Sequence, residues 1–298
     1  MRTTISYLGA ALLSLVSLSS ADVWTEALGK ELGAATKTKV VLEAYRAVVE
    51  AKHARAADAR WRRAELFASL NQKDETKAEL EALAKEFPKS YAAAVKKALG
   101  DLPSFVGHYD RKRAEKTLKS RPVSLNFPNT PLGEVISFLQ DITGLNVVLL
   151  PSADPALPVS LRLKDVKLES ALKLILATDG DLEYQIVRNM ILIGKDMSVT
   201  KDKKWSQKEI EANPGLAWKV LSQRLTLNFD QTPFGEVCGF LRDISGVNLV
   251  LSKTVEGANP DISLRLKEVR LRDVLTLITG SNGFRWSADS GAIRIDAQ

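Results

Sequence analysis

Between residues 22 and 100 apolar side chains recur every three or four positions, as in Val40, Val41, Ala44, Tyr45 and Val48, and no Pro interrupts the run before Pro88. This spacing predicts an all-helical first third. Breaks at Asn71-Gln72-Lys73-Asp74 and Pro88-Lys89-Ser90 divide residues 57–100 into three helices. Their apolar faces carry Trp61, Ala64, Phe67 and Leu70, then Ala78, Leu80, Leu83, Ala84 and Phe87, then Tyr91, Ala94 and Leu99. From residue 122 onward the period alternates between 2 and 3.6, which predicts short strands interleaved with helices.

The second half of the chain repeats itself at an offset of 102 residues: 16 of the 25 positions from Leu125 to Leu149 are identical to their counterparts. After a one-residue insertion the match resumes with Ser160-Leu161-Arg162-Leu163-Lys164 against Ser263-Leu264-Arg265-Leu266-Lys267. In the first copy Val123, Leu125 and Phe127 alternate as a strand, and Thr130 is expected to cap a helix whose first position is Pro131. Leu132, Val135, Ile136, Leu139 and Ile142 form that helix's apolar stripe, and Gly144 closes it. Residues 146–150 predict a buried strand, 159–166 an alternating strand and 168–178 a second helix. A hairpin over 182–187 and 190–193 turns at Arg188-Asn189, and in the second copy 284–287 and 292–295 turn at Asp289-Ser290-Gly291. The expected fold class is α+β: an all-helical N-terminal region followed by two duplicated small α/β sandwich modules of strand-helix-strand-strand-helix-hairpin order. The expected boundaries are 22–100 for the helical region, 101–121 for a basic linker, 122–195 for the first module, 196–223 for a polar connector and 224–298 for the second module.

The helix, tight turn, helix ending at Phe87-Pro88 and further helix of residues 57–100 resemble one degenerate tetratricopeptide unit, which must cover its open face with the preceding helix or a partner. The modules carry a second resemblance. A strand, a Pro-x-Gly-Glu-Val helix start at Pro131 and Pro233, a Gly-x-Asn turn at Gly144 and Gly246, and the Ser-Leu-Arg-Leu-Lys strand together resemble the short N-terminal domain shared by secretins and TonB-dependent receptors. The likeness occurs twice, over about half of the chain. It implies a periplasmic docking module, which in secretins meets inner-membrane components and in receptors signals to a regulator. Because the chain ends at Gln298, directly after the last strand, no gate, barrel or pore is expected.

Arg2 precedes an apolar run over residues 5–18 and then Ser19-Ser20-Ala21, which reads as a secretory leader, residues 1–21, cleaved after Ala21. The run falls short of the roughly 20 residues that span a bilayer, and no Cys follows it to take a lipid. A periplasmic or secreted mature chain without a membrane span is therefore expected.

Composition narrows the chemistry. One Cys (Cys238) and two His (His53, His108) exclude a disulfide framework, a cysteine–histidine zinc site and an iron–sulfur cluster. Neither His lies in the modules, so no nucleophile–histidine pair is available there. Cys238 replaces Ile136 on the helix stripe and reads as a small core residue. Glu134 and Glu236 fall in first helical turns, where a carboxylate complements the helix dipole, and Asp141 and Asp243 read as structural too. No cofactor, metal or enzymatic activity is expected. The net charge of +6 arises from 42 Lys and Arg against 36 Asp and Glu. Its basic excess sits mainly outside the modules, including Arg111-Lys112-Arg113 and Lys116 in the linker, so nucleic-acid binding is not expected.

The candidate partner-binding residues are Arg162, Lys164, Arg265 and Lys267, which alternate with inward Leu side chains and so point outward, together with Trp205 and Trp218 in the connector. The outward basic positions fit two readings, a docking stripe or a charge-protected strand that resists aggregation, and the tryptophans fit two as well, a staple holding the connector to a module or exposed anchors between domains. The expected function is a non-enzymatic cell-envelope interaction protein docking to a secretion, pilus or outer-membrane transport assembly. The alternative is a periplasmic signalling subunit contacting an inner-membrane regulator. Self-association stays open.

Overall fold

The computed structural model describes residues 20–33, 37–110, 112–195, 197, 205–289 and 291–298. Among the described residues seven helices precede the first strand: α1 (Ser20–Leu32), α2 (Thr38–Glu50), α3 (Ala56–Ser69), α4 (Lys73–Glu86), α5 (Ala92–Gly100), α6 (Leu102–Tyr109) and α7 (Arg113–Ser120). The apolar run over residues 5–18, expected to be a leader, lies outside the described residues. Because α1 opens at Ser20, the expected cleavage bond falls in its first turn, and buried packing begins at Trp24. Among the described residues no helix is long and apolar enough to cross a membrane.

Asn71 turns α3 into α4 by adopting left-handed backbone (φ 60°), which Asn tolerates better than most residues. Leu80, Leu83, Val95, Ala98 and Ala64 then form a small core between α3, α4 and α5, against which Trp61 and Tyr91 stack at 5.1 Å. The face of α3 turned away from this core packs on α2, the cover that a lone helical repeat needs.

The first module comprises β1 (Pro122–Pro131), α8 (Leu132–Thr143), β2 (Asn146–Leu149), β3 (Pro158–Lys167), α9 (Leu168–Leu176), β4 (Glu183–Val187) and β5 (Met190–Gly194). After α10 (Gln207–Ala212) and α11 (Pro214–Ser222), the second runs through β6 (Arg224–Pro233), α12 (Phe234–Ser245), β7 (Asn248–Leu251), α13 (Lys253–Ala258), β8 (Asp261–Arg270), α14 (Leu271–Gly280), β9 (Phe284–Asp289) and β10 (Ala292–Ala297). The topology matches the expected α+β class. Each module joins an antiparallel pair, β1–β3 or β6–β8, to a three-stranded sheet ordered β2-β5-β4 or β7-β10-β9, whose first pair is parallel. The register of β1 on β3 recurs in β6 on β8 down to the position of both irregularities. Those irregularities have a chemical cause: Asn129, Gln231, Asp165 and Glu268 take left-handed backbone, and hydroxyls of Ser160, Ser263, Ser124 and Thr226 accept their N–H groups at 2.9–3.2 Å.

Thr130 does not cap α8. The strand runs on through Pro131, and the loop entering β3 supplies the acceptors instead, Leu132 and Gly133 donating to the carbonyls of Leu157 (2.8 Å) and Pro155 (2.9 Å). In the second copy Phe234 donates to the Pro260 carbonyl and Gly235 to Asn259 Oδ1. A Cβ on Gly133 would stand 3.4 Å from Pro155, in ordinary van der Waals contact. At the other end Gly144 (φ 65°) and Gly246 (φ 61°) close the helices as expected, and a cation donates to each of their carbonyls, Arg113 at 3.2 Å and Lys219 at 2.9 Å.

The described residues of both expected connectors include helices packed on the modules. In residues 101–121 α7 buries Ala114 and Leu118, one turn apart, in the first module's core and packs on α9. In residues 196–223 α11 buries Leu216, Ala217, Trp218, Val220 and Leu221 and packs on α14 in the same way. The repeated unit therefore begins one helix earlier than the sequence match. A high count of charged residues suggested solvated linkers, but the few apolar residues are in helical phase, and phase decides burial. The second module's core is also continuous with α1 and α2 and with Val148, Leu150, Met190 and Leu192 on the outer face of the first module's sheet.

Candidate partner-binding cleft

The structure separates the six candidate residues into three settings. Arg162 and Lys164 stand exposed on β3, and neither has an ion-pair partner among the described residues. Their counterparts on β8 meet the first module: Arg265 pairs with Asp141 at 2.8 Å, and the backbone of Lys267 is held from both sides by the Asn146 amide, which accepts from its N–H at 2.8 Å and donates to its carbonyl at 3.1 Å. Asp141 and Asn146 were thus contact residues that the sequence reading passed over. Trp205 and Trp218, open to either a staple holding the connector to a module or exposed docking anchors, are buried. Trp218 meets Trp24 edge-on at 5.1 Å, Trp205 meets Trp286 at 6.0 Å, and the Arg55 guanidinium lies over both Trp24 and Trp218. Their large apolar area outweighs the polar character of the segment around them. Accordingly Trp218→Ala should cost about 3–5 kcal/mol in urea unfolding. A cost below about 1 kcal/mol would show that α11 does not anchor the N-terminal helices.

Where the helical region and the two modules converge they enclose a cleft of about 900 Å³. One wall is α2, α3 and α6, contributing Val41, Leu66, His108 and Tyr109. The other is built from the α8–β2 turn, the Arg188-Asn189 hairpin turn, the end of β8 and the start of α14. Among the described residues seven cationic side chains line it (Arg62, Arg113, Arg188, Arg224, Lys267, Arg270 and Arg272) against four carboxylates (Glu31, Asp110, Glu268 and Asp273).

Behind this surface Arg62 is fully buried between Glu31 and Glu65, bonding to both, while Tyr45 donates to Glu31 at 2.9 Å and Tyr109 to Glu65 at 2.8 Å. Burial alone would raise the Glu65 carboxyl. Arg62, and then Arg270 and Arg224, more than reverse this and hold it at about 2. The same opposition lowers Glu31 and raises Arg62. Arg224 lies over the Tyr109 ring at 4.3 Å, donates to the Glu268 carbonyl at 2.7 Å and approaches Glu65 at 3.9 Å; Arg270 approaches the same carboxylate at 3.6 Å. Enclosure, with Arg62 beside it, lowers Arg270 to about 9, still protonated at neutral pH. The enclosed Nε atoms of Arg224 and Arg270 have no hydrogen-bond partner among the described residues. Enclosure, then Arg224, brings His108 down to about 4, so it is neutral and adds no charge.

The cleft can therefore take a carboxylate or another oxyanion, since guanidinium groups offer planar, paired donors to such groups. No signal short of the fold could have found it, because its cations span positions 62 to 272 and share no motif. Among the described residues no three His, Cys, Asp or Glu side chains gather as metal ligands, and burial pushes the Cys238 thiol up to about 12, where it is unreactive. No family model matches the chain, and no curated protein matches it.

Proposed function

We propose that the chain is a non-enzymatic interaction protein of the cell envelope that docks to a secretion or outer-membrane transport assembly by taking an acidic segment of its partner into the arginine-lined cleft. The excess of cations over carboxylates in that cleft carries the reading. A flexible acidic segment can satisfy several guanidinium groups at once, and such steering speeds encounter between envelope proteins. The leader-like N-terminus and the resemblance of the duplicated modules to envelope docking domains support a partner in the envelope.

A photo-crosslinking residue at Ser104, exposed at the rim of the cleft, tests this in the source cells. It should capture an envelope protein, and adding Arg224→Glu should abolish the capture. Capture of cytoplasmic proteins alone, or capture indifferent to Arg224→Glu, would reject the proposal.

A further inference from the structure

We propose that copies of this chain join head to tail through a repeat of the contact that already joins its two modules. That contact has two complementary halves. One is the α8–β2 corner of the first module, with Asp141 and Asn146; the other is the outer edge of β8 in the second module, with Arg265 and Lys267. Because the modules are duplicates, each half occurs twice, and the chain uses only one of each. The second module's own corner presents Asp243 and Asn248, both exposed, and the first module's own edge presents Arg162 and Lys164, both exposed.

The unused halves repeat four polar residues of the used ones, with Arg242 in place of Gln140, which in the used contact also donates to the Arg265 carbonyl at 3.3 Å. Asp243 and Asn248 are identical to Asp141 and Asn146, and Arg162 and Lys164 to Arg265 and Lys267. The corners are built alike: Gln140 donates to the carbonyl of Val147, and Arg242 in its place donates to the equivalent carbonyl of Leu249 at 3.1 Å. The edges are built alike too, since β3 pairs with β1 in the register by which β8 pairs with β6. The Asn248 amide can therefore read the backbone at Lys164 as Asn146 reads it at Lys267, with Asp243 placed for Arg162. Val148, beside the used corner, is 5% exposed and belongs to the core shared with the second module, whereas Val250, beside the unused corner, is 49% exposed. A second copy seated on that corner would cover it.

The two halves lie on different modules, so the contact is heterologous: it continues from copy to copy into a ring if the rotation closes and a filament if it does not. It is also weaker than its intramolecular parent, which is tethered and covers Met190 and Leu192, where the second copy has Ala292 and Arg294. Association is therefore expected to build up only as the chain is concentrated. None of Arg162, Asp243 and Asn248 lines the cleft, so self-association and partner docking stand or fall separately.

Sedimentation velocity of the full chain from about 1 μM to 1 mM tests this. The weight-average sedimentation coefficient should rise with concentration. Arg162→Glu and Asp243→Arg, both at exposed positions, should each weaken association at least about tenfold by bringing like charges together. An equimolar mixture of the two variants should associate again, because the reversed charges now face each other while native Asp243 of one chain still meets native Arg162 of the other. Asn248→Ala should weaken association without changing any charge. A wild-type chain that stays monomeric throughout, single variants that associate like wild type, or a mixture that stays monomeric would each overturn the inference.

Discussion

Arg62→Met should destabilise the chain by about 3–5 kcal/mol, the range found when one partner of a buried ion pair is removed. Among the described residues Arg62 is the largest fully buried side chain, and Glu31 and Glu65 both depend on it for compensation. Deleting it leaves two enclosed carboxylates against the more distant Arg270 and Arg224, at 3.6 and 3.9 Å from Glu65. Adding Glu31→Gln and Glu65→Gln to Arg62→Met should recover much of the loss, because the residual cost of the single variant is uncompensated charge, not lost volume. Urea melts of the single and triple variants decide between these causes. A triple variant no more stable than Arg62→Met would mean that the guanidinium acts by packing.

The same cluster sets an acid limit. The Glu65 carboxyl is at about 2 in the folded chain against an ordinary 4.5. A lowered carboxyl contributes stability that is fully present above the unfolded value and disappears as pH falls toward the folded value, so about 3 kcal/mol should be lost between pH 4.5 and 2. His108 acts over a higher window. Its folded value of about 4 lies below the ordinary 6.5, so the unfolded chain binds the extra proton first, and stability falls as pH drops from 6.5 to 4. Glu65→Gln should flatten the lower arm of the stability profile, and His108→Gln the upper one.

The parts of this architecture that depend on local pattern were legible in the sequence. Alternation in Leu161 to Lys164 and Leu264 to Lys267 placed the strands, and glycine at 144 and 246 marked where two helices had to end in left-handed backbone. The Arg188-Asn189 turn likewise takes positive φ at both residues, 49° and 67°, as a two-residue hairpin requires. What escaped was burial of segments rich in charge. In α7 only Ala114 and Leu118 face inward, and the connector that carries Trp205 and Trp218 looked polar because Lys residues surround them in sequence, whereas helical geometry buries Trp218 in α11 and leaves Lys219 exposed. Arg62 shares a face with Ala59 and Leu66, so its burial could have been inferred from phase alone. The cleft could not. Its walls belong to elements far apart in the chain, and its charge balance exists only once they meet.

Leu139→Ala and Leu241→Ala occupy equivalent positions, and as isolated modules they would be expected to act alike, each within its own copy. The packing separates them. Leu139 belongs to a core built from residues 114–193. Leu241 belongs to the core that runs on through Trp218 and Trp24 into α1 and α2. Each truncation should cost about 2–5 kcal/mol, since both side chains are buried in well-packed surroundings. In hydrogen exchange Leu139→Ala should lower protection in β1, β3 and α9 while leaving α1 and α2 as they were. Leu241→Ala should lower it in the second module and in α1 and α2 together, because a cooperative unit opens as one. Loss of protection confined to residues 224–298 would mean that the N-terminal helices only rest on the second module, and that the shared core does not couple them.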